Sequence, residues 1–186
     1  MKVSDVITSA LRLIGRAELI SSLSNPSKSD QEDGAETIET LLYCFNAVED
    51  ELARKYIPLE TKEVLSSTDN KFYYSKFSKY PVKIKSVTVG GMQAEYEVYT
   101  KYLEVGARKI TVEYRYAPKR KTLDDESDYG ESVGEYLIAL GMASEYAVIN
   151  GEAEMADKWE KLYRAQLDGT QRSLRVCADI PPRRWV

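Results

Sequence analysis

The spacing of hydrophobic residues changes twice along this chain. Near the start, hydrophobic residues between Val3 and Ile14 recur at steps of three and four, which is the period of an α-helix. Between Lys109 and Tyr116, hydrophobic and polar residues alternate, which is the period of a strand with one buried face. Helical spacing returns after about Asp128. The 186 residues therefore predict helices at both ends and a β segment between them.

Two helices are predicted before the β segment. Ser4 is placed to cap the first, and Gly15 is placed to end it, because glycine readily adopts the left-handed conformation that follows many helices. The second begins with a capping-box pattern at Ser29–Glu32 and continues to about Tyr56. Pro58 lies just beyond and prevents much further helix.

The segment from Glu60 to Ala117 predicts five or six short strands. Gly90-Gly91 predicts a hairpin turn, since two consecutive glycines can both take positive φ. In the strand from Lys109 to Tyr116, the positions expected to point inward are Ile110, Val112, Tyr114 and Tyr116. This strand is therefore predicted to be antiparallel and buried on one face.

Two further helices are predicted after the β segment, joined by a turn at Asn150-Gly151. The first is expected to start near Asp128. It carries Gly134 and Gly141, which cost about 1 kcal/mol each relative to alanine in a helix. Their small size would let another helix approach closely. In the second helix, Trp159 is expected to lie in the core.

These elements predict a mainly α fold, a helical bundle of about four main helices with a small antiparallel β insert between the second and third. The predicted division assigns residues 1–59 to the N-terminal helices and 60–117 to the inserted β module. Residues 118–178 are assigned to the C-terminal helical hairpin of the same bundle, and 179–186 to an extended tail. Pro181 and Pro182 prevent that tail from being helical.

The absence of histidine excludes many catalytic chemistries. Histidine activates most serine and cysteine nucleophiles, and it is a ligand in most zinc sites. The sequence also has no phosphate-binding glycine loop and no serine in a nucleophile elbow. The chain is therefore predicted not to be an enzyme, and no catalytic residue, metal or cofactor is expected.

Charge and hydropathy narrow the class of partner. The net charge of −4 gives no global basic field for nucleic acid. No apolar run approaches the roughly 18 residues that a membrane span needs, so no membrane partner is expected. The first residues carry no secretory signal pattern. Cys44 and Cys177 fit reduced thiols in a cytosolic chain.

Three features admit two interpretations each. Glu49-Asp50-Glu51 could hold a metal ion, but consecutive helical positions point in different directions, which favours a solvated face. The basic stretch Pro118–Lys121 could touch phosphate, although the acids that follow it favour a solvated connector. The 14 tyrosines suit an interface, because tyrosine combines apolar area with a polar tip, yet strands also favour tyrosine.

Several segments, taken in order, carry a resemblance to a known family. They are Val3-Ser-Asp-Val-Ile-Thr-Ser-Ala-Leu-Arg-Leu-Ile-Gly15, the helix end Asn46-Ala-Val-Glu-Asp-Glu-Leu-Ala-Arg-Lys-Tyr56, the exit Tyr-Ala-Pro118, the stretch Leu-Asp-Asp125, and a helical hairpin with Ala143-Ser-Glu-Tyr146 and Trp159. In this order they resemble the head–tail adaptor (connector) proteins of tailed bacteriophages, which dock under the portal. The resemblance covers nearly the whole chain, and no single catalytic signature defines it.

The resemblance implies a ring of copies, typically twelvefold, bound to the portal protein in the neck of a virion after synthesis in the host cytoplasm. The ring would extend the channel for genomic DNA, which passes without sequence-specific binding, and would receive a stopper or tail-completion protein. The C-terminal tail would reach the portal. The residues of this portal-binding tail are Ile180, Pro181, Pro182, Arg183, Arg184, Trp185 and Val186.

The tail and the β segment each have a competing interpretation. Tryptophan and arginine dominate interface energies, and the prolines stiffen the tail, which supports an anchor. A frayed terminus is the alternative for the same residues. For the whole chain, the second interpretation is a soluble peptide- or protein-binding module that uses the exposed tyrosines of the β insert.

Overall fold

The computed structural model describes residues 1–24, 32–130 and 133–178, which form a helical unit and a β unit. The helical unit comprises Met1–Glu51 and the described residues from Arg120 onward, and the β unit comprises Leu52–Lys119. The chain thus leaves the helical unit once, builds the β unit and returns.

The described residues of the helical unit form five α-helices, one of which is central. They are α1 (Val3–Leu13), α2 (Ile20–Ser24), α3 (Glu32–Glu51), α4 (Glu135–Ile149) and α5 (Ala153–Ala178). The central helix is α4, which contacts α1, α3 and α5. Its residues from Leu137 to Ser144 are all buried, as expected of a helix that is hydrophobic on nearly every face.

Gly141 lies at a close approach of α4 to α3 and α5. A Cβ atom at this position would lie 2.9 Å from Val48 Cγ1 and 3.1 Å from Tyr163 Cε2. Packed carbon atoms ordinarily lie about 3.5–4.0 Å apart. The prediction that Gly141 permits close helix packing is therefore confirmed.

Two of the predicted helix starts are wrong. Ser4 lies inside α1 rather than at its cap, and the start of the helix is held by a backbone bond from Val3 N to the Asp125 carbonyl at 3.0 Å. The helix α4 begins at Glu135 rather than near Asp128. The reason is Gly134, whose φ of 80° lies in the left-handed region that a right-handed helix cannot include.

Two turns and one packing position can be compared with their predictions. Gly15, with a φ of 75°, follows α1 as predicted, and Gly151, with a φ of 74°, forms the predicted turn between α4 and α5. Trp159 is half-buried rather than in the core. Among the described helices, none is long and apolar enough to cross a membrane.

All residues of the β unit are described, and they form seven strands in two antiparallel sheets. The strands are β1 (Leu59–Ser66), β2 (Lys71–Tyr73), β3 (Pro81–Val89), β4 (Met92–Gln93), β5 (Tyr96–Val98), β6 (Tyr102–Val105) and β7 (Lys109–Tyr116). The four-stranded sheet has the order β1-β7-β3-β4, and the three-stranded sheet has the order β2-β6-β5. Gly90 and Gly91, with φ of 59° and 88°, form the predicted turn between β3 and β4.

The two sheets share one hydrophobic core. Its buried residues are Phe72, Phe77, Val87, Leu103, Val105, Ile110, Val112 and Tyr114. Strands of both sheets contribute to it. The alternation predicted for Lys109–Tyr116 is confirmed at the first three inward positions, whereas Tyr116 is only half-buried.

The predicted fold class, a mainly α bundle with a small β insert, is wrong. The fold is α+β with two antiparallel sheets. The β segment buries a core of its own, because each sheet covers the apolar face of the other. The strands of the second sheet, β2, β5 and β6, have three or four residues each. Such short strands do not indicate how they pair, so a second sheet was not predicted.

Candidate interaction surface

The predicted portal-binding tail lies outside the described residues. It consists of Ile180, Pro181, Pro182, Arg183, Arg184, Trp185 and Val186. Helix α5, which precedes it, is described to Ala178. The assignment of the tail to portal binding therefore stays a prediction.

Glu49 is buried, with 1% of its surface exposed. Its Oε1 atom accepts hydrogen bonds from Ser127 Oγ at 2.6 Å and from Asp128 N at 2.9 Å. Its Oε2 atom has no hydrogen-bond partner among the described residues. Burial raises the pKa of the Glu49 carboxyl. The prediction of a solvated face is therefore wrong at Glu49. Its hydrogen bonds connect α3 to the segment before α4.

The metal interpretation of the acidic cluster finds no support in the described part of the chain. No group of three or more cysteine, aspartate or glutamate residues there could hold a metal ion. The bonds of Glu49 go to Ser127 and to the backbone of Asp128 instead. We interpret Glu49 as a structural residue.

Lys121 is also structural rather than solvated. Asn46 Oδ1 accepts a hydrogen bond from Lys121 N at 2.7 Å, and Asn46 Nδ2 donates to the Lys121 carbonyl at 3.2 Å. Lys121 Nζ lies 3.4 Å from Asp128 Oδ1, and their side chains are 12% and 11% exposed. The expected solvated connector over Pro118–Lys121 is therefore wrong at its last residue.

A groove lined largely by tyrosines opens beside β3, and we call it the tyrosine groove. Its lining residues are Tyr74, Tyr80, Pro81, Val82, Lys83, Ile84, Tyr96, Val98, Tyr99 and Thr100. It encloses about 420 Å³. Tyr80 is 67% exposed and Val98 is 61% exposed, so large apolar side chains face solvent at its rim. Exposed apolar residues that are grouped in this way are typical of binding surfaces.

Three of the four tyrosines of the groove, Tyr74, Tyr96 and Tyr99, are held in place before any ligand arrives. Tyr74 and Tyr96 pack partly against the core of the β unit. Tyr99 lies in the turn between β5 and β6 and stacks on Tyr102, with ring centroids 4.7 Å apart. Because these rings are already ordered, binding to them would cost little side-chain entropy.

The four-stranded sheet has an open backbone edge on each side. Strand β3 pairs with β7 along one side, while β4 pairs only with Thr88 and Val89 on the other. Within the described residues no strand covers Pro81–Ser86 on that side, and part of this edge lines the tyrosine groove. Strand β1 also pairs with β7 on one side only, in continuous register over all its residues.

A second groove, of about 650 Å³, adjoins the first, and we call it the acidic groove. Its lining residues are Ala94, Glu95, Tyr96, Glu97, Glu104, Val105 and Gly106, so that Tyr96 lines both grooves. Glu97 and Glu104 lie directly opposite each other in β5 and β6. Like charges in this position destabilise a sheet.

A hydrogen bond links the two grooves. Tyr99 Oη donates to Glu97 Oε2 at 2.6 Å. This bond and the charge of Glu97 raise the pKa of Tyr99 to about 12. Tyr99 therefore stays a neutral hydrogen-bond donor at physiological pH, and it orients one carboxylate of the acidic groove.

Sequence reasoning did not locate either groove. The abundance of tyrosine indicated an interface as one of two possibilities, but the groove tyrosines come from separate segments before β3, in β5 and after β5. Only the pairing of the strands brings them together. The relevant signal in the sequence was the number of tyrosines, which does not indicate which of them share a surface.

The chain matches no protein-family model and no curated protein.

Proposed function

We propose that this chain is a head–tail adaptor of a tailed bacteriophage. Its copies form a ring, typically twelvefold, that joins the portal to a stopper or tail-completion protein. The observation that supports this proposal best is the pair of open edges on the four-stranded sheet. The edges differ, since β1 is regular and β3 has two register shifts. Contacts between two different surfaces of identical copies generate rings when the rotation closes, and such contacts do not require a backbone ladder along β3.

The portal contact is assigned to Ile180–Val186. Trp185, Arg183 and Arg184 are residue types that dominate binding energy, and Pro181-Pro182 reduces the entropy lost on docking. The portal ring supplies a template on which copies gather, because tethering raises their effective concentration. Free protein with modest self-affinity would then form rings only on the portal.

Removal of the tail tests the portal contact. A variant lacking Ile180–Val186 should bind purified portal protein at least about 30-fold more weakly, since each hot-spot residue contributes ~2 kcal/mol or more. Circular dichroism and the thermal midpoint should be unchanged. Binding is measured by interferometry, and rings are counted by negative-stain imaging.

Two point variants provide the control. Arg184→Ala should weaken portal binding, whereas Arg172→Ala, which removes an exposed arginine of α5, should not. Unimpaired docking of the truncated protein would contradict the anchor. Equal losses from both arginine variants would indicate a general charge effect instead.

A second candidate function is a soluble peptide- or protein-binding module, and the tyrosine groove favours it. Its exposed rim and ordered rings suit an extended ligand. Imaging of the chain mixed with portal protein separates the candidates. Rings on the portal support the adaptor, while chains that do not bind the portal support the module.

Neither candidate is an enzyme. The absence of histidine from the sequence supports this part of the proposal. The buried acid Glu49 is engaged by Ser127 and by the backbone of Asp128, so it is not placed as an acid–base group facing a substrate.

A further inference from the structure

The tyrosine groove and the acidic groove meet at Tyr96 and together present aromatic rings beside carboxylates. We propose that they bind an extended, proline-containing basic segment, and that the occupant is Asp179–Val186 of a second copy of this chain. The proposal rests on the second candidate function, binding through the β unit, and it specifies the ligand.

The tyrosine groove suits the prolines. Segments rich in proline dock into aromatic-lined grooves, because proline rings pack on aromatic faces and their φ is already fixed near −65°. Asp179–Val186 contains Pro181-Pro182. The groove offers Tyr74, Tyr80 and Tyr99 as well as the shared Tyr96.

The acidic groove suits the arginines that follow. Arg183-Arg184 comes directly after the prolines, and the groove carries Glu95, Glu97 and Glu104. Within the described residues, no lysine or arginine forms an ion pair with these three acids. A guanidinium between Glu97 and Glu104 would relieve the repulsion of that pair and form charge-assisted hydrogen bonds.

The segment is long enough to reach both grooves, which share Tyr96. The four residues Pro181–Arg184 would span about 12 Å in a polyproline conformation, at 3.1 Å per residue. Strand β5, whose first residue Tyr96 lines both grooves, has three residues and spans about 10 Å. The segment can therefore place prolines in one groove and arginines in the other.

The segment could instead bind as an additional strand along the open edge of β3. Two features of that edge disfavour this binding mode. Strand β3 carries Lys83, and its pairing with β7 has two register shifts. Edge lysines and bulges are features that discourage strand addition. A polyproline segment needs no backbone ladder, so it fits this edge better.

The same segment is the proposed portal anchor, so one copy can use it in only one place at a time. Portal protein should therefore compete with the grooves for it. Before docking, the grooves would hold the segment of a second copy, and docking would release it. Binding of the segment to the grooves and its binding to the portal can therefore be measured separately.

The direct test titrates a labelled synthetic peptide of residues 179–186 into the full chain and follows fluorescence anisotropy. Saturable binding is expected. Tyr80→Ser and Glu104→Gln should each weaken it about fivefold or more, the equivalent of ~1 kcal/mol. The matched control is Tyr43→Ser, which changes a tyrosine of α3 that is 58% exposed and lies outside both grooves. This control should bind the peptide normally.

Two further measurements separate binding from structural roles. Because Glu104→Gln removes one member of a like-charged pair, the thermal midpoint of the free protein should hold or rise while peptide affinity falls. A structural role for Glu104 would lower the thermal midpoint as well. A peptide with both prolines replaced by alanine should also bind more weakly, since its φ angles are no longer fixed.

The assignment to a second copy has its own test. Sedimentation equilibrium of the full chain should show concentration-dependent association that Arg183→Gln/Arg184→Gln lacks. The proposal that the grooves bind this segment would be overturned if the peptide showed no saturable binding, or if Tyr80→Ser bound it equally well. Equal affinity for unrelated proline-rich basic peptides, or no association of the full chain, would overturn this occupant. Portal binding by Tyr80→Ser, which retains its tail, shows separately whether the adaptor proposal stands.

Discussion

The buried carboxylate of Glu49 makes the stability of this protein depend on pH. Burial raises its pKa, so the folded chain holds the Glu49 proton more tightly than the unfolded chain does. The contribution of Glu49 to stability is therefore fully present below the unfolded pKa and is lost as pH rises through the folded pKa. Above that range a charge without a counter-ion in direct contact costs free energy.

Glu49→Gln should remove the loss of stability that ionisation of Glu49 causes as pH rises. The amide keeps an acceptor for Ser127 Oγ and Asp128 N and carries no charge. We expect the variant to be more stable than the parent at pH 8, by roughly 1 kcal/mol, and nearly equal to it at pH 4. Urea denaturation at several pH values measures the difference. Glu36→Gln, at an exposed position of α3, is the control and should follow the parent curve.

The helices of the first unit are arranged around α4, and Gly141 sets how closely they pack. Val48 of α3 and Tyr163 of α5 occupy the space that a side chain at Gly141 would need. Val48 is branched at Cβ and 2% exposed, so it has little freedom to move aside. The distance between these helices therefore depends on a missing methyl group.

Gly141→Ala and Gly169→Ala should have opposite effects. The first forces a contact of 2.9 Å with Val48, and overpacking of this kind costs about 1–3 kcal/mol. The second adds a methyl group in open space on α5, where helix propensity favours alanine by up to ~1 kcal/mol. Thermal and urea unfolding measure both. Stabilisation by Gly141→Ala would show that the helices can separate without loss.

Long periodic elements were predictable, and irregular ones were not. The prediction was close for the strand from Lys109 to Tyr116 and for the helix before Gly15. In each of them the spacing of hydrophobic residues keeps one period along the whole element. The start of α4 was misplaced, since the conformation of Gly134 overrides the hydrophobic pattern around it. Burial of Glu49 came from partners almost 80 positions away, which no local pattern can reveal.

The two candidate sites differ in what sequence could say about them. The tail Ile180–Val186 was chosen because its composition suits an anchor, and that choice stays a prediction. The tyrosine groove could not be chosen, because its residues meet only after the strands of both sheets have paired. Composition admitted an interface without indicating its position, and the pairing of the strands brings the tyrosines of the groove together.

A ring that forms a channel for DNA, as the proposed adaptor would, must have low affinity for the DNA that passes through it. Phosphate contacts by lysine and arginine produce affinity for DNA, and this chain has a net charge of −4. We therefore expect no saturable binding of a labelled 30-base-pair duplex at about 150 mM salt. Fluorescence anisotropy measures it. Tight binding that weakens steeply with salt would contradict the conduit.

The pairing of β1 also governs when this protein can fold. In the part of the chain that the structure describes, strand β1 pairs only with β7, which ends at Tyr116. Helix α1 packs on α4, which begins at Glu135. Both contacts join segments far apart in the chain, and such contacts form slowly because a long loop must close first. A growing chain that stops before Lys109 leaves β1 with no partner strand, and such a fragment is exposed to aggregation and proteolysis.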